Sequence, residues 1–100
     1  MKLSVLERVV LLNLLPQEAT FANLKLIRVA KETLSFTDEE NQKLNFRIEG
    51  AQTLWDEGIE EREFLIGEVA SQLIVEALEK LDKDKKLREE HFSVYEKFVK

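Results

Sequence analysis

The chain has 100 residues, of which 44% are hydrophobic and 35% are charged, and its formal net charge is −5. This composition predicts one ordered domain, residues 1–100, with a single core. The sequence contains no cysteine, one histidine, three glycines and one proline. Disulfides, thiolate nucleophiles and cysteine-based zinc sites are therefore excluded. We expect a cytoplasmic protein with no cofactor and no bound metal.

The acidic excess lies in the second half of the chain. Residues 1–50 contain seven basic and seven acidic side chains, whereas residues 51–100 contain eight basic and thirteen acidic ones. A general polyanion-binding surface is not expected from this balance. The uncharged run Val9–Leu15 is far shorter than the roughly 20 residues that cross a bilayer, and Glu7 and Arg8 interrupt the apolar stretch that an export signal requires. We expect neither a membrane partner nor an export signal.

The first half of the chain predicts three helices. Ser4 and Glu7 have the spacing of a capping box and Pro16 ends the pattern, which predicts a helix over 5–15 that is apolar on nearly all sides. Thr20 can cap an amphipathic helix over 21–34. Thr37 and Glu40 form a second capping box, which predicts a short helix over 38–43.

The period then changes from helix to strand and back. Leu44, Phe46 and Ile48 alternate with polar residues, which predicts an antiparallel hairpin within 44–65, with a third extended piece over 60–65. Apolar residues at helical spacing return over 66–82, and a last helix is predicted over 88–98. The expected fold is mainly helical α+β, with about five helices and the hairpin inserted between the third and the fourth. Six residues are predicted to form part of the core: Leu12, Leu26, Ile27, Phe46, Leu73 and Leu78.

The residues for catalysis are sparse. His91 is the only histidine, and Glu89 and Glu90 do not share its face of a helix, so a general base is not indicated. The glycines are scattered, which excludes phosphate-binding loops of the known glycine-rich types. We therefore expect no enzyme, although catalysis by carboxylates alone is left open. The acidic residues within 56–63 could bind a cation or a basic partner, but their spacing favours a solvated edge.

Aromatic residues are the candidate contacts for another protein. They are Trp55, Phe92, Tyr95 and Phe98. Both terminal helices are difficult to bury in one small protomer, and the surplus apolar surface indicates self-association or binding of a partner protein. The predicted function is a non-enzymatic protein-binding or self-assembling module, with a homo-oligomer among the possible forms.

The alternative function is a DNA-binding regulator of the winged-helix type. Three helices followed by a hairpin approximate that arrangement. The candidate phosphate contacts are Lys25, Arg28, Lys31 and Arg47. The third helix begins with three acidic residues, Asp38, Glu39 and Glu40, where a recognition helix would lie, and these would repel DNA.

Three segments carry a resemblance to known sequences. They are SVLERVVLLNLLP, LSFTDEENQKLNF and EEHFSVYEKFV. Together they resemble blocks found in small uncharacterised proteins encoded by bacteriophages and prophages. The resemblance implies an accessory role without catalysis, such as binding a host factor, countering host defence or assembling with other phage proteins, and it assigns a function to no residue.

Overall fold

The fold is mainly helical α+β, as the sequence predicts. The computed structural model describes residues 1–56 and 61–99. Within these ranges the helices are α1 (Val5–Leu14), α2 (Phe21–Leu34), α3 (Asp38–Leu44), α4 (Glu68–Lys83) and α5 (Phe92–Phe98), and a 3-10 turn (Glu89–His91) precedes α5. The strands are β1 (Lys2–Leu3), β2 (Arg47–Glu49), β3 (Gln52–Leu54) and β4 (Arg62–Glu63).

The predicted helix starts are confirmed at the three capping residues. Ser4 and Glu7 form the capping box of α1, and Thr37 and Glu40 form that of α3. The Thr20 side chain accepts a hydrogen bond from the backbone N–H of Asn23 at the start of α2. These side chains satisfy backbone donors that a helix start otherwise leaves without partners. The bounds of α2 are as predicted, and those of the other helices differ from the predicted ones by at most four residues, the largest difference being at the start of α5.

The strands form two separate antiparallel pairs. β2 and β3 make the predicted hairpin, with Arg47 opposite Leu54 and with Gly50 at a positive φ of 62° in the turn. Leu44, predicted to open the hairpin, ends α3 instead and is buried. The third extended piece is present as β4, but it pairs with β1 and not with the hairpin. Glu60, with which that piece was predicted to start, lies outside the described residues.

The core lies where α1, α2, α4 and α5 meet. Its most buried side chains are Leu11, Leu34, Ile74, Leu78 and Val94. Burial of Ile27 and Leu78 confirms two of the predicted core positions, and Leu12 and Leu73 pack against the core while half-buried.

Two predicted core positions lie elsewhere. Phe46 is half-buried beside Phe36 and Trp55, outside the main core cluster. The prediction for Leu26 was wrong, since its side chain is 44% exposed. Consecutive residues of a helix differ by about 100° in direction, and the side of α2 that faces the core carries Ile27, Ala30 and Leu34. It buries Ile27 and leaves Leu26 at the edge.

No helix in the described ranges is both long enough and apolar enough to cross a membrane.

Candidate functional site

The most buried charged side chain is that of Arg8, in the first half of α1. It is 1% exposed, and its guanidinium carbon lies 3.9 Å from the ring centre of Phe36 and 4.8 Å from that of Phe64. Nη1 and Nη2 donate to the two carboxylate oxygens of Glu40 at 2.7 and 3.2 Å. We call these four residues, Arg8, Phe36, Glu40 and Phe64, the Arg8 cluster.

The remaining donors of Arg8 bind the end of α2. Nε donates to the carbonyl of Leu34 at 3.2 Å, and Nη2 also donates to the carbonyl of Ser35 at 2.8 Å. Both carbonyls belong to a helix end that has no further backbone partners within the helix. The hydrogen bond from Arg8 lowers the pKa of Glu40 to about 2, although partial burial opposes this shift. The cluster therefore joins α1, the end of α2 and α3 by charge-assisted hydrogen bonds. Phe64, directly after β4, joins it by a cation–π contact.

A second buried carboxylate lies next to Arg8 in the sequence. Glu7 accepts a hydrogen bond from Lys97 Nζ at 2.8 Å, and Lys97 also donates to the carbonyl of Lys2 at 2.7 Å. Burial raises the pKa of Glu7, but the bonds from Lys97, Ser4 and Ser93 lower it more, so the net shift is downward. This contact fastens α5 to the start of α1.

These charged groups are directed at one another and not at a ligand site. Both Glu7 and Glu40 serve twice, first in a capping box and then as the partner of a distant cation. Within residues 1–56 and 61–99, no group of three histidine or carboxylate side chains is placed to hold a metal ion. The arrangement is suited to holding elements together.

The predicted aromatic contacts do not form one surface. Phe92 is 64% exposed, and it lines a cleft of about 260 Å³ with Tyr95 and His91. The hydroxyl of Tyr95 donates to Asp82 at 3.3 Å; partial desolvation and then this carboxylate raise the pKa of Tyr95. Phe98 packs against the core, and Trp55 lies beside Phe46 with 5.9 Å between ring centres.

The predicted phosphate contacts are also divided between two places. Lys25 and Arg28 are exposed on α2, and Lys31 is half-buried there. Arg47 lies on the hairpin, where it pairs with Asp56 at 3.0 Å.

The acidic edge at 56–63 is partly described. Asp56 is bound to Arg47, and Glu63 pairs with the N-terminal amino group of Met1. Glu61 is exposed. Glu57 and Glu60 lie outside the described residues.

The structure shows an apolar surface that sequence reasoning missed. Leu26 and Val29 on α2 face Leu65, in the segment before α4, and Val69, in the first turn of α4, across a groove of about 190 Å³. All four side chains are exposed, and Leu65 is exposed to 92%. We call these four residues the apolar groove. Glu68 is the one charged residue that lines it in the described part of the chain.

The signal for this groove is present in the composition of α2. This helix carries Leu24, Leu26, Ile27, Val29 and Ala30 within seven positions. Five apolar residues so close together make the apolar part of the helix surface wider than the single stripe that packs against one core. The excess predicts apolar surface outside the core, but not its pairing with Leu65 and Val69.

Comparisons with protein-family models, with curated proteins and with solved structures gave no match. The geometry of the described residues is therefore the basis for a functional proposal.

Proposed function

We propose that the protein binds another protein through the apolar groove, and that its role is non-catalytic. The observation that supports this proposal is the exposure of Leu26, Val29, Leu65 and Val69 on one side of the molecule. Contiguous exposed apolar residues of this kind are typical of interaction sites, because water contact with them is unfavourable.

The shape and the charge of the apolar groove favour a helix as the occupant. Leu26 and Val29 are spaced i, i+3 on α2, and Leu65 before α4 and Val69 in its first turn lie across from them. A partner helix with an apolar stripe can lay that stripe between these two pairs of side chains. The lining contains almost no charge, so the apolar contact would supply the affinity. Polar residues at the rim would set the orientation of the partner helix.

The charged residues support a non-catalytic role. Arg8, Glu7 and Glu40 are bound to one another or to other parts of the chain, and their hydrogen bonds hold α1, α2, α3 and α5 in place. The resemblance to phage and prophage proteins agrees with an accessory role, in which the bound protein is a host factor or another phage protein.

A capture experiment with a groove variant tests this proposal. The tagged full chain and its Leu65→Ser variant are each incubated with lysate of the host, and the captured proteins are compared. We expect a protein bound by the parent chain to be reduced at least fivefold by Leu65→Ser, because an exposed leucine can be removed from the groove without unfolding the core. Ile48→Ser is the matched control, since Ile48 is also an exposed aliphatic residue but lies on β2.

One outcome of this experiment would contradict the proposal. Equal capture by the parent chain and by Leu65→Ser would show that the groove is not the binding site. Light scattering on the same proteins identifies the remaining occupant. A parent dimer that becomes a monomer in Leu65→Ser would show that the groove holds a second copy of this chain.

A further inference from the structure

A second cleft lies on the other side of α2. It has a volume of about 480 Å³ and is lined by Pro16, Gln17, Leu24, Ile27, Arg28 and Lys31. We call it the basic cleft. Leu24 and Leu26 are two positions apart, about 200° around the helix, so the basic cleft and the apolar groove lie on different sides of α2.

The basic cleft combines an apolar floor with a cationic rim. Ile27 is buried at its base, and Leu24 and Pro16 contribute further apolar surface. Arg28 is exposed and Lys31 is half-buried. Within residues 1–56 and 61–99, neither of them forms an ion pair, whereas Arg8, Arg47, Arg62 and Lys97 each lie within 4.0 Å of a carboxylate.

We propose that the basic cleft binds an acidic segment of a partner protein. An apolar side chain of that segment would lie on Leu24 and Ile27, and its carboxylates would pair with Arg28 and Lys31. This ligand complements both parts of the cleft at once. A nucleic acid complements only the two cations, and the net charge of −5 repels a polyanion, with one charge on every phosphate, more than it repels a segment with two carboxylates.

The order of residues along α2 also indicates in which direction a partner helix would run. Phe21, Leu24, Arg28 and Lys31 are spaced i, i+3, i+7 and i+10, so they follow one side of the helix. Phe21 and Leu24 lie near the N-terminal end of α2, and Arg28 and Lys31 lie near its C-terminal end. A partner helix that packs antiparallel therefore places its first turns beside Arg28 and Lys31. Acidic residues are favoured in the first turns of a helix, because they interact well with its dipole.

The test uses a synthetic peptide that matches this spacing. A fluorescein-labelled helical peptide carries glutamates at positions i and i+3 and leucines at i+7 and i+10, and a second peptide carries glutamine in place of glutamate. Binding to the full chain is measured by fluorescence anisotropy at low salt. We expect the acidic peptide to bind about tenfold more tightly than the glutamine peptide, because two exposed ion pairs are lost in the latter.

Variants of the protein locate the binding. The double substitution Arg28→Gln with Lys31→Gln should weaken binding of the acidic peptide about tenfold, and Leu24→Ser should weaken binding of both peptides. Lys80→Gln, which removes an exposed cation from α4, should leave the affinity unchanged. Leu65→Ser should also leave it unchanged, so failure of the apolar groove and failure of the basic cleft are distinguishable.

Three results would overturn the proposal. They are no binding of the acidic peptide, equal binding of the acidic and glutamine peptides, and an unchanged affinity in the Arg28→Gln, Lys31→Gln protein. A labelled DNA duplex is measured in parallel. Salt-sensitive duplex binding that the same double substitution abolishes, in place of peptide binding, would assign the cleft to nucleic acid instead.

Discussion

The Arg8 cluster buries a charged side chain, whereas the apolar groove exposes hydrophobic ones, which is the opposite of what their residue types predict. Arg8 is 1% exposed, although arginine is among the residues least often buried, whereas Leu65 is 92% exposed. The difference shows that hydrogen-bond satisfaction and packing geometry decide burial here. Arg8 is buried because Leu34, Ser35 and Glu40 offer it acceptors and two phenylalanines offer it aromatic faces. Leu65 is exposed because no part of residues 1–56 or 61–99 covers it.

The two regions also differ in what they contribute to the free energy of folding. Burial of a guanidinium and a carboxylate has a large desolvation cost, which their mutual attraction and their additional hydrogen bonds offset. An exposed leucine contributes little to the free energy of folding. If a partner buried it completely, removing it from water would contribute about 1.5–3 kcal/mol to binding. The Arg8 cluster is thus a folding element, and the apolar groove is the surface that we propose for binding.

The largest expected effect is the fall in stability when the charge of Arg8 is removed. Arg8→Met removes the Arg8 donors from the half-buried carboxylate of Glu40 and from the carbonyls of Leu34 and Ser35. We expect the free energy of unfolding to fall by about 3–5 kcal/mol, as for other buried ion pairs that lose one partner. Urea denaturation followed by circular dichroism measures this loss.

The double variant Arg8→Met with Glu40→Gln is the control for this prediction. It removes both charges, so it should be more stable than Arg8→Met alone. A loss below about 1 kcal/mol in Arg8→Met would contradict the assignment of the Arg8 cluster as a folding element.

The next effect is a dependence of stability on pH. The pKa of Glu40 falls from 4.5 to about 2 in the folded chain. A carboxyl group with a lowered folded pKa contributes stability above its unfolded pKa, and this contribution is lost as the pH falls from about 4.5 towards 2. The pKa of Glu7 is also lowered, so its contribution has the same sign.

Glu40→Gln should therefore reduce the slope of the free energy of unfolding against pH in that acidic range. Urea denaturation at a series of pH values measures the slope. Glu39→Gln, on the same turn but outside the Arg8 cluster, should retain the slope of the parent chain. An unchanged slope in Glu40→Gln would show that its ion pair with Arg8 does not form in solution.

The smallest expected effect concerns Leu26. Leu26→Ala should change the free energy of unfolding by less than about 0.5 kcal/mol, because the side chain lies at the exposed edge of α2. Leu78→Ala is the matched control, and its fully buried side chain should cost about 2–5 kcal/mol. Thermal denaturation of both variants makes the comparison. Equal losses in the two would show that Leu26 is part of the core after all.

Sequence patterns predicted the local features well and the long-range contacts poorly. The capping boxes of α1 and α3 and the hairpin were all predicted, since each depends on residues close in the chain. The pairing of Arg8 with Glu40 joins residues separated by 32 positions, and that of Glu7 with Lys97 spans 90. In the sequence, Glu7 is recognised only as a capping-box residue and Arg8 only as a charge that interrupts an apolar helix.

The sequence by itself determined where α1, α2 and α3 begin, where the hairpin lies, and that the chain has more apolar surface than one small core requires. These properties follow from local hydrogen bonding and from the periodicity of side chains. The tertiary structure alone decided that Arg8 is inside and Leu65 outside, that β4 joins β1, and that α2 presents an apolar groove on one side and a basic cleft on the other. Each of these depends on which elements pack against each other, and a helix with several apolar directions does not specify which of them its neighbours will cover.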